Sequence, residues 1–160
     1  MSRNLVSTTL VIHACPNALI GSVAKILPES EAKWLSQDLL VGTVCTEISL
    51  KLTFGQFEEL ASALLQIPGL YLDLLQQGRE SGTWFMLAPG LGLFRAQINA
   101  AGEIMVSEDR IRMALDQSAG NHRELSRLLR LALGQAWDDI LEPFRAARYQ
   151  SNLAIINQAV

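Results

Sequence analysis

The chain has 160 residues, a formal net charge of −3 and a pI near 5.4. That length fits one compact domain, and the mildly acidic balance removes the basic face that nucleic-acid binding needs. Apolar residues make up 49% of the chain, but their runs are interrupted well short of the ~20 residues of a membrane-spanning helix. The expected partners therefore include neither nucleic acid nor membrane. The opening residues lack the apolar core and cleavage site of a signal peptide. Cys15 and Cys45 fall in no CxxC or zinc spacing. We expect a cytoplasmic protein with reduced thiols, no metal and no cofactor.

Residues 1–8 are polar and are expected to be loose. Thr9 to Cys15 is rich in β-branched residues and predicts a strand. Pro16 stops it and suits the first position of a helix over 17–27, where Leu19, Ile20, Val23, Ile26 and Leu27 recur at helical spacing. After Pro28 a strand is expected near Lys33 to Val41, with Gly42 at the turn. Residues 44–52 alternate strictly: Val44, Thr46, Ile48, Leu50 and Leu52 on one face, and Cys45, Glu47, Ser49 and Lys51 on the other. Such alternation predicts an antiparallel sheet with one buried face. Thr53-x-x-Gln56 reads as a capping box opening a helix with Phe57, Leu60, Ala61, Leu64 and Leu65 inward. Leu70 to Leu75 returns as a strand.

Residues 9–75 thus read strand, helix, strand, strand, helix, strand. The expected fold class is α+β, with a ferredoxin-like split βαβ core: an antiparallel sheet with both helices on one face. Strands over 83–106 extend the sheet, and 107–149 forms a helical C-terminal part. Ser107 and Asn121 are expected N-caps, and Gly134 a C-cap. The tail, 150–160, carries the apolar run Leu153 to Ile156, read as an added strand or a partner contact. The whole is one domain.

Charge concentrates where the chain is otherwise apolar. In Trp137-Asp138-Asp139-Ile140-Leu141-Glu142-Pro143-Phe144-Arg145 large apolar anchors alternate with charged residues. This pattern predicts a clasp in which Trp137 and Phe144 anchor the segment, Asp138 or Asp139 caps a helix, and Arg145 folds back to a carboxylate, with Glu142 nearest in sequence. Pro143 is expected to end one helix or start the next. Asp138, Asp139 and Glu142 could together bind a divalent cation, yet adjacent aspartates point apart and match no EF-hand loop or HExxH pattern. His13 stands near the end of the first strand, where ligands often sit in α/β layers, although a lone histidine is commonly structural. Glu103, Glu108, Asp109 and Arg110 form a second charged group that also fits a solvated first turn. The candidate site residues are therefore His13, Glu103, Asp109, Arg110, Trp137, Asp138, Asp139, Glu142 and Arg145. No serine or cysteine stands in a nucleophile elbow, and the glycines at 90, 92 and 102 precede strands rather than a phosphate-binding helix.

Leu91-Gly92-Leu93-Phe94, Gly102-Glu103-Ile104-Met105, Glu108-Asp109-Arg110, Trp137-Asp138-Asp139 and Leu141-Glu142-Pro143-Phe144-Arg145, with Val11-x-His13-x-x-Pro16 at the start, resemble an actinobacterial family catalogued as domain of unknown function 3145. Ala136 stands where the family pattern calls for proline, and Ile140 where it calls for an acid. The resemblance implies a cytoplasmic protein and supplies no catalytic residues. On these grounds we expect a non-enzymatic module that binds a protein partner or small ligand and self-associates as a homodimer. The alternative is a small enzyme using His13 with the acids near Trp137.

Overall fold

Alternation along the strands builds one sheet with two unlike faces. The computed structural model describes residues 4–28 and 32–158, with side chains through Arg148. In chain order it contains β1 (Val6–Pro16), a 3-10 turn at Asn17–Leu19, α1 (Ile20–Ile26), β2 (Leu35–Ser36), β3 (Thr43–Leu52) and α2 (Phe54–Leu65). There follow β4 (Tyr71–Gln77), β5 (Ser81–Ala88), β6 (Gly92–Asn99), β7 (Ile104–Met105), α3 (Glu108–Ser118), α4 (His122–Ala132) and α5 (Gln135–Gln158). The seven strands form one open sheet, ordered β2-β3-β1-β4-β5-β6-β7. Every neighbouring pair is antiparallel.

One face carries the main apolar core. Leu10, Ile12, Ile48, Leu72, Leu74 and Phe85 project from the strands against Val23 of α1 and Phe57, Leu60 and Leu64 of α2, so both helices lie on this face. Phe57 stacks on Phe85 at 5.0 Å between ring centroids. The capping box forms as expected: Thr53 Oγ1 accepts the Gln56 N–H, and Gln56 Oε1 accepts the Thr53 N–H. On the other face α5 packs Trp137 and Leu141 against Met86, Ala88, Phe94 and Ala96 of β5 and β6.

Several expectations are corrected. β1 begins at Val6, so residues 6–8 are strand rather than loose chain. The strand expected near 33–41 shrinks to Leu35–Ser36. Gln37 spends its side chain on the carbonyl of His13, and Thr43 Oγ1 donates to the Leu40 carbonyl, so the intervening residues form a turn. Pro143 breaks nothing: α5 runs through it from Gln135 to Gln158. Pro143 and Asp139, four residues earlier, both lie on the exposed side of the helix. The carbonyl that loses its N–H partner to proline therefore faces water rather than the core. The same helix crosses the expected boundary at 149–150, so residues 153–156 are helical backbone rather than an added strand. Their side chains, and hence the expected partner contact there, lie outside the described residues.

Candidate functional site

The second face of the sheet holds a buried charged centre built from four elements. Its geometry starts at an irregularity in β1. Between Ile12 and Cys15 the register against β3 slips, and between Ile12 and Ala14 it slips against β4. A β-bulge therefore lies at His13–Ala14, a feature that re-aims a side chain and frees backbone groups. The freed His13 carbonyl accepts the Gln37 side-chain N–H at 2.5 Å. The His13 ring is 3% exposed and packs 6.0 Å from Phe144 of α5.

Asp73 is the hub. It sits mid-strand in β4 among Tyr71, Leu72, Leu74 and Leu75, on the face opposite Leu72 and Leu74. Its Oδ2 accepts from His13 Nε2 at 2.7 Å and from Arg145 Nε at 3.0 Å. Its Oδ1 accepts from Arg145 Nη2 at 2.8 Å and from Trp84 Nε1 at 2.9 Å. The Arg145 fork is thus bidentate on one carboxylate, the strongest geometry available to this pair. Arg145 Nη1 reaches Asp138 Oδ1 at 2.8 Å, and the guanidinium lies over the Trp84 ring at 5.3 Å. Burial alone would raise the Asp73 pKa. The hydrogen bonds from His13 and Arg145, with the arginine charge, outweigh it and hold the carboxyl at about 2. Burial likewise works against the Arg145 charge, but Asp73 and Asp138 raise its pKa above the ordinary arginine value.

The α5 register places these groups. Gly134, at φ 76°, turns the chain after α4, and a Cβ there would lie 2.7 Å from Phe94 Cε1. Glycine is thus required both by the backbone and by the close approach. Trp137 then drops against Phe94 at 5.1 Å, and its Nε1 donates to the Gly92 carbonyl at 2.9 Å. Leu141 and Phe144 continue the buried stripe, and Arg145 emerges above Asp73.

Of the expected site residues, the structure brings together His13, Asp138 and Arg145, with Glu142 at the margin, 3.7 Å from Arg145. Trp137 anchors the same helix one layer away. Asp139 turns outward to Arg130 of α4. Neither Asp138 nor Asp139 caps a helix: α5 starts at Gln135, and Asp138 is committed to Arg145. Nor does Arg145 take Glu142 as its main partner, because Asp73 is closer and more buried. Glu103 belongs to the β6–β7 turn, paired with Asn99. Asp109 lies in the first turn of α3, and Arg110 lies over Phe94 with Nη1 directed to the Ala132 carbonyl. Asp73 and Trp84 were missed. The available signal was an acid at the centre of an alternating strand, in register with the inward-facing tyrosine two residues before it.

Beside the centre the sheet face opens into a cleft of about 360 Å³. Thr9, Val11, Leu75 and Trp84 line its floor, with His13, Asp73, Arg145 and Arg148 at its wall. A second hollow of about 230 Å³ shares Val11, His13 and Arg148 and reaches Gln37, Cys45 and Phe144. Among the described residues, no group of three or more His, Cys, Asp or Glu is placed to hold a metal ion. No described helix is long and apolar enough to cross a membrane.

Fold and site together define a class: an α+β protein whose open antiparallel sheet is pinned to its last described helix by a part-buried carboxylate shared among arginine, histidine and tryptophan. The chain belongs to the family described as a protein of unknown function, DUF3145, whose model matches residues 9–158. No curated protein and no solved structure matches it.

Proposed function

We propose that the chain is a non-enzymatic binding module that takes a protein partner or a small ligand in the cleft floored by Val11, Leu75 and Trp84. The observation that carries this is the saturation of Asp73. Four donors occupy its two oxygens, and a carboxyl held at about 2 is too weak a base to accept a proton from substrate near neutral pH. The charges nearest the cleft therefore hold α5 in place, and the apolar floor with its indole supplies the contact surface, as in binding pockets generally. Neither cysteine is in a disulfide, which fits a reducing cytoplasmic setting. The test is affinity capture from the native cell with the parent chain and with Leu75→Arg, which places a charge in the cleft floor at a position paired across the strands with Thr9 and Trp84. A component held by the parent and released by the variant supports the proposal. Identical captures overturn it.

A second reading, a small enzyme, rests on His13. Its Nε2 is fixed by Asp73 and its Nδ1 has no hydrogen-bond partner among the described residues. A ring oriented in this way is the form a general base takes. The acids near Trp137 connect to it only through Arg145, by way of Asp138. Acylation by diethylpyrocarbonate discriminates, with exposed His122 as the internal reference. If His13 in the folded chain stays unmodified while His122 reacts, the enzyme reading fails.

A further inference from the structure

The outer edge of β3 is the longest unpaired strand edge among the described residues. β2 covers only Val44 and Cys45, while β3 runs on to Leu52. The Gln37 N–H bonds the Thr43 carbonyl, so odd-numbered residues of β3 turn their backbone groups outward, and even-numbered ones turn inward to β1. Glu47, Ser49 and Lys51 therefore present three N–H and three C=O groups with no backbone partner among the described residues. This edge carries no proline and no bulge, two of the devices that protect a sheet edge.

Its charges are arranged symmetrically. We propose that β3 pairs antiparallel with β3 of a second copy of this chain, about a two-fold axis through Ser49. In that register Ser49 faces its own counterpart, and Glu47 of each chain faces Lys51 of the other. All six outward backbone groups then find partners. Two opposite-charge pairs form on one face of the joined sheet, an arrangement that stabilises cross-strand pairing. Glu47 Oε2 already accepts from Arg148 at 2.5 Å, which leaves Oε1 for the partner's lysine. A shift to the register centred on Ile48 would drive the second strand onto Cys45, where β2 already sits. The edge meets the cleft at Arg148, which lines the cleft and bonds Glu47; Lys51→Glu touches neither residue, so the two proposals are tested separately.

The experiment is analytical ultracentrifugation of the full chain at high micromolar concentration. The parent should sediment at twice 17.6 kDa. Lys51→Glu places like charges opposite each other twice and should weaken association about tenfold or more. Mixing the Lys51→Glu chain with a Glu47→Lys chain restores opposite charges in both pairs and should recover the dimer. Should Glu47→Lys fail to fold, Ser49→Cys decides the register. Directly paired residues stand about 5.5 Å apart between Cα atoms, within disulfide reach, so oxidation should give a covalent dimer. A monomeric parent, a Lys51→Glu chain that associates as tightly as the parent, or a Ser49→Cys chain that stays uncrosslinked overturns the proposal.

Discussion

The two faces of this sheet are covered by different means. Toward α1 and α2 the contact is apolar and continuous, from Val23 and Phe57 to Leu74 and Phe85. Toward α5 an apolar cluster around Trp137 and Leu141 covers β5 and β6, after which the helix is held over β4 by Asp73, Arg145 and His13. The first face gains stability in proportion to the area it buries and tolerates rearrangement. The second depends on every member of a hydrogen-bonded set being present, because a buried charge that loses its partner keeps its desolvation penalty.

The largest expected effect separates these two behaviours. Asp73→Ala leaves the Arg145 guanidinium, whose side chain is 23% exposed, without its bidentate acceptor and removes the acceptor from His13 and Trp84. We expect a loss of about 3–5 kcal/mol in denaturant melts. Replacing the pair together, as Asp73→Leu with Arg145→Met, should cost less, since the arginine charge goes with its main partner and Asp138, the acid left without its arginine, is part-exposed. If the double variant is as unstable as Asp73→Ala, the centre does more than satisfy its own charges.

Trp137→Ala tests the apolar part of the same face. The indole is 7% exposed, packs on Phe94 and donates to the Gly92 carbonyl. The expected cost is roughly 3–5 kcal/mol, comparable with Phe57→Ala on the opposite face, where the ring is fully buried. A Trp137→Ala melt that overlays the parent would show that α5 is held by the ionic centre alone.

What could be read from the sequence follows the same division. Strict alternation exposed β3 and its inward face, and the Thr53 capping box and Ser107 cap were readable because the backbone chemistry of a helix start is local. The Trp137 anchor was readable because an indole among charges needs a reason. The partner of Arg145 was not. Arg145 and Asp73 are 72 residues apart, and an acid in the middle of an apolar strand hints at burial but names no partner until β4 is known to lie under α5. Glu142, the nearest acid in sequence, took its place in the expectation. The bulge at His13 is likewise a property of two registers at once and leaves no mark in the composition of β1. The short β2 has the same origin: Gln37 reads as a neutral strand residue, and only the bulged His13 carbonyl gives its side chain a fixed use.

Acid provides the third test. The Asp73 carboxyl ordinarily titrates near 3.8 and is held at about 2 in the folded chain. A depressed folded value means that the contribution is fully present above the unfolded value and is lost as pH falls through the folded one. The window is therefore roughly pH 4 to 2, and the difference corresponds to about 2 kcal/mol. Parent and Asp73→Asn chains should converge in stability across that window and differ by a constant amount above it. A difference unchanged down to pH 2 would mean that the carboxyl is not held low by its partners.

The smallest effect sharpens the contrast within α5 itself. Glu142 and Asp138 both reach Arg145, at 3.7 Å and 2.8 Å, but the Glu142 side chain is 68% exposed and the Asp138 side chain 38%. A long, solvated ion pair gains little Coulomb energy in water and costs side-chain entropy to hold. Arg145 already has Asp73 on two of its nitrogens and Asp138 on a third, so removing the Glu142 charge leaves no N–H group newly unpaired in a dry site. Glu142→Gln should therefore change stability by about 0.5 kcal/mol or less, and raising the salt concentration should erase even that. Asp138→Asn keeps an acceptor oxygen but gives up the charge at the shorter contact, and should cost about 1 kcal/mol. Melts of the two variants at low and high salt decide between them. If Glu142→Gln proves the more damaging, the helix is clasped by its own i,i+3 pair, and Asp73 is not the group that fixes Arg145.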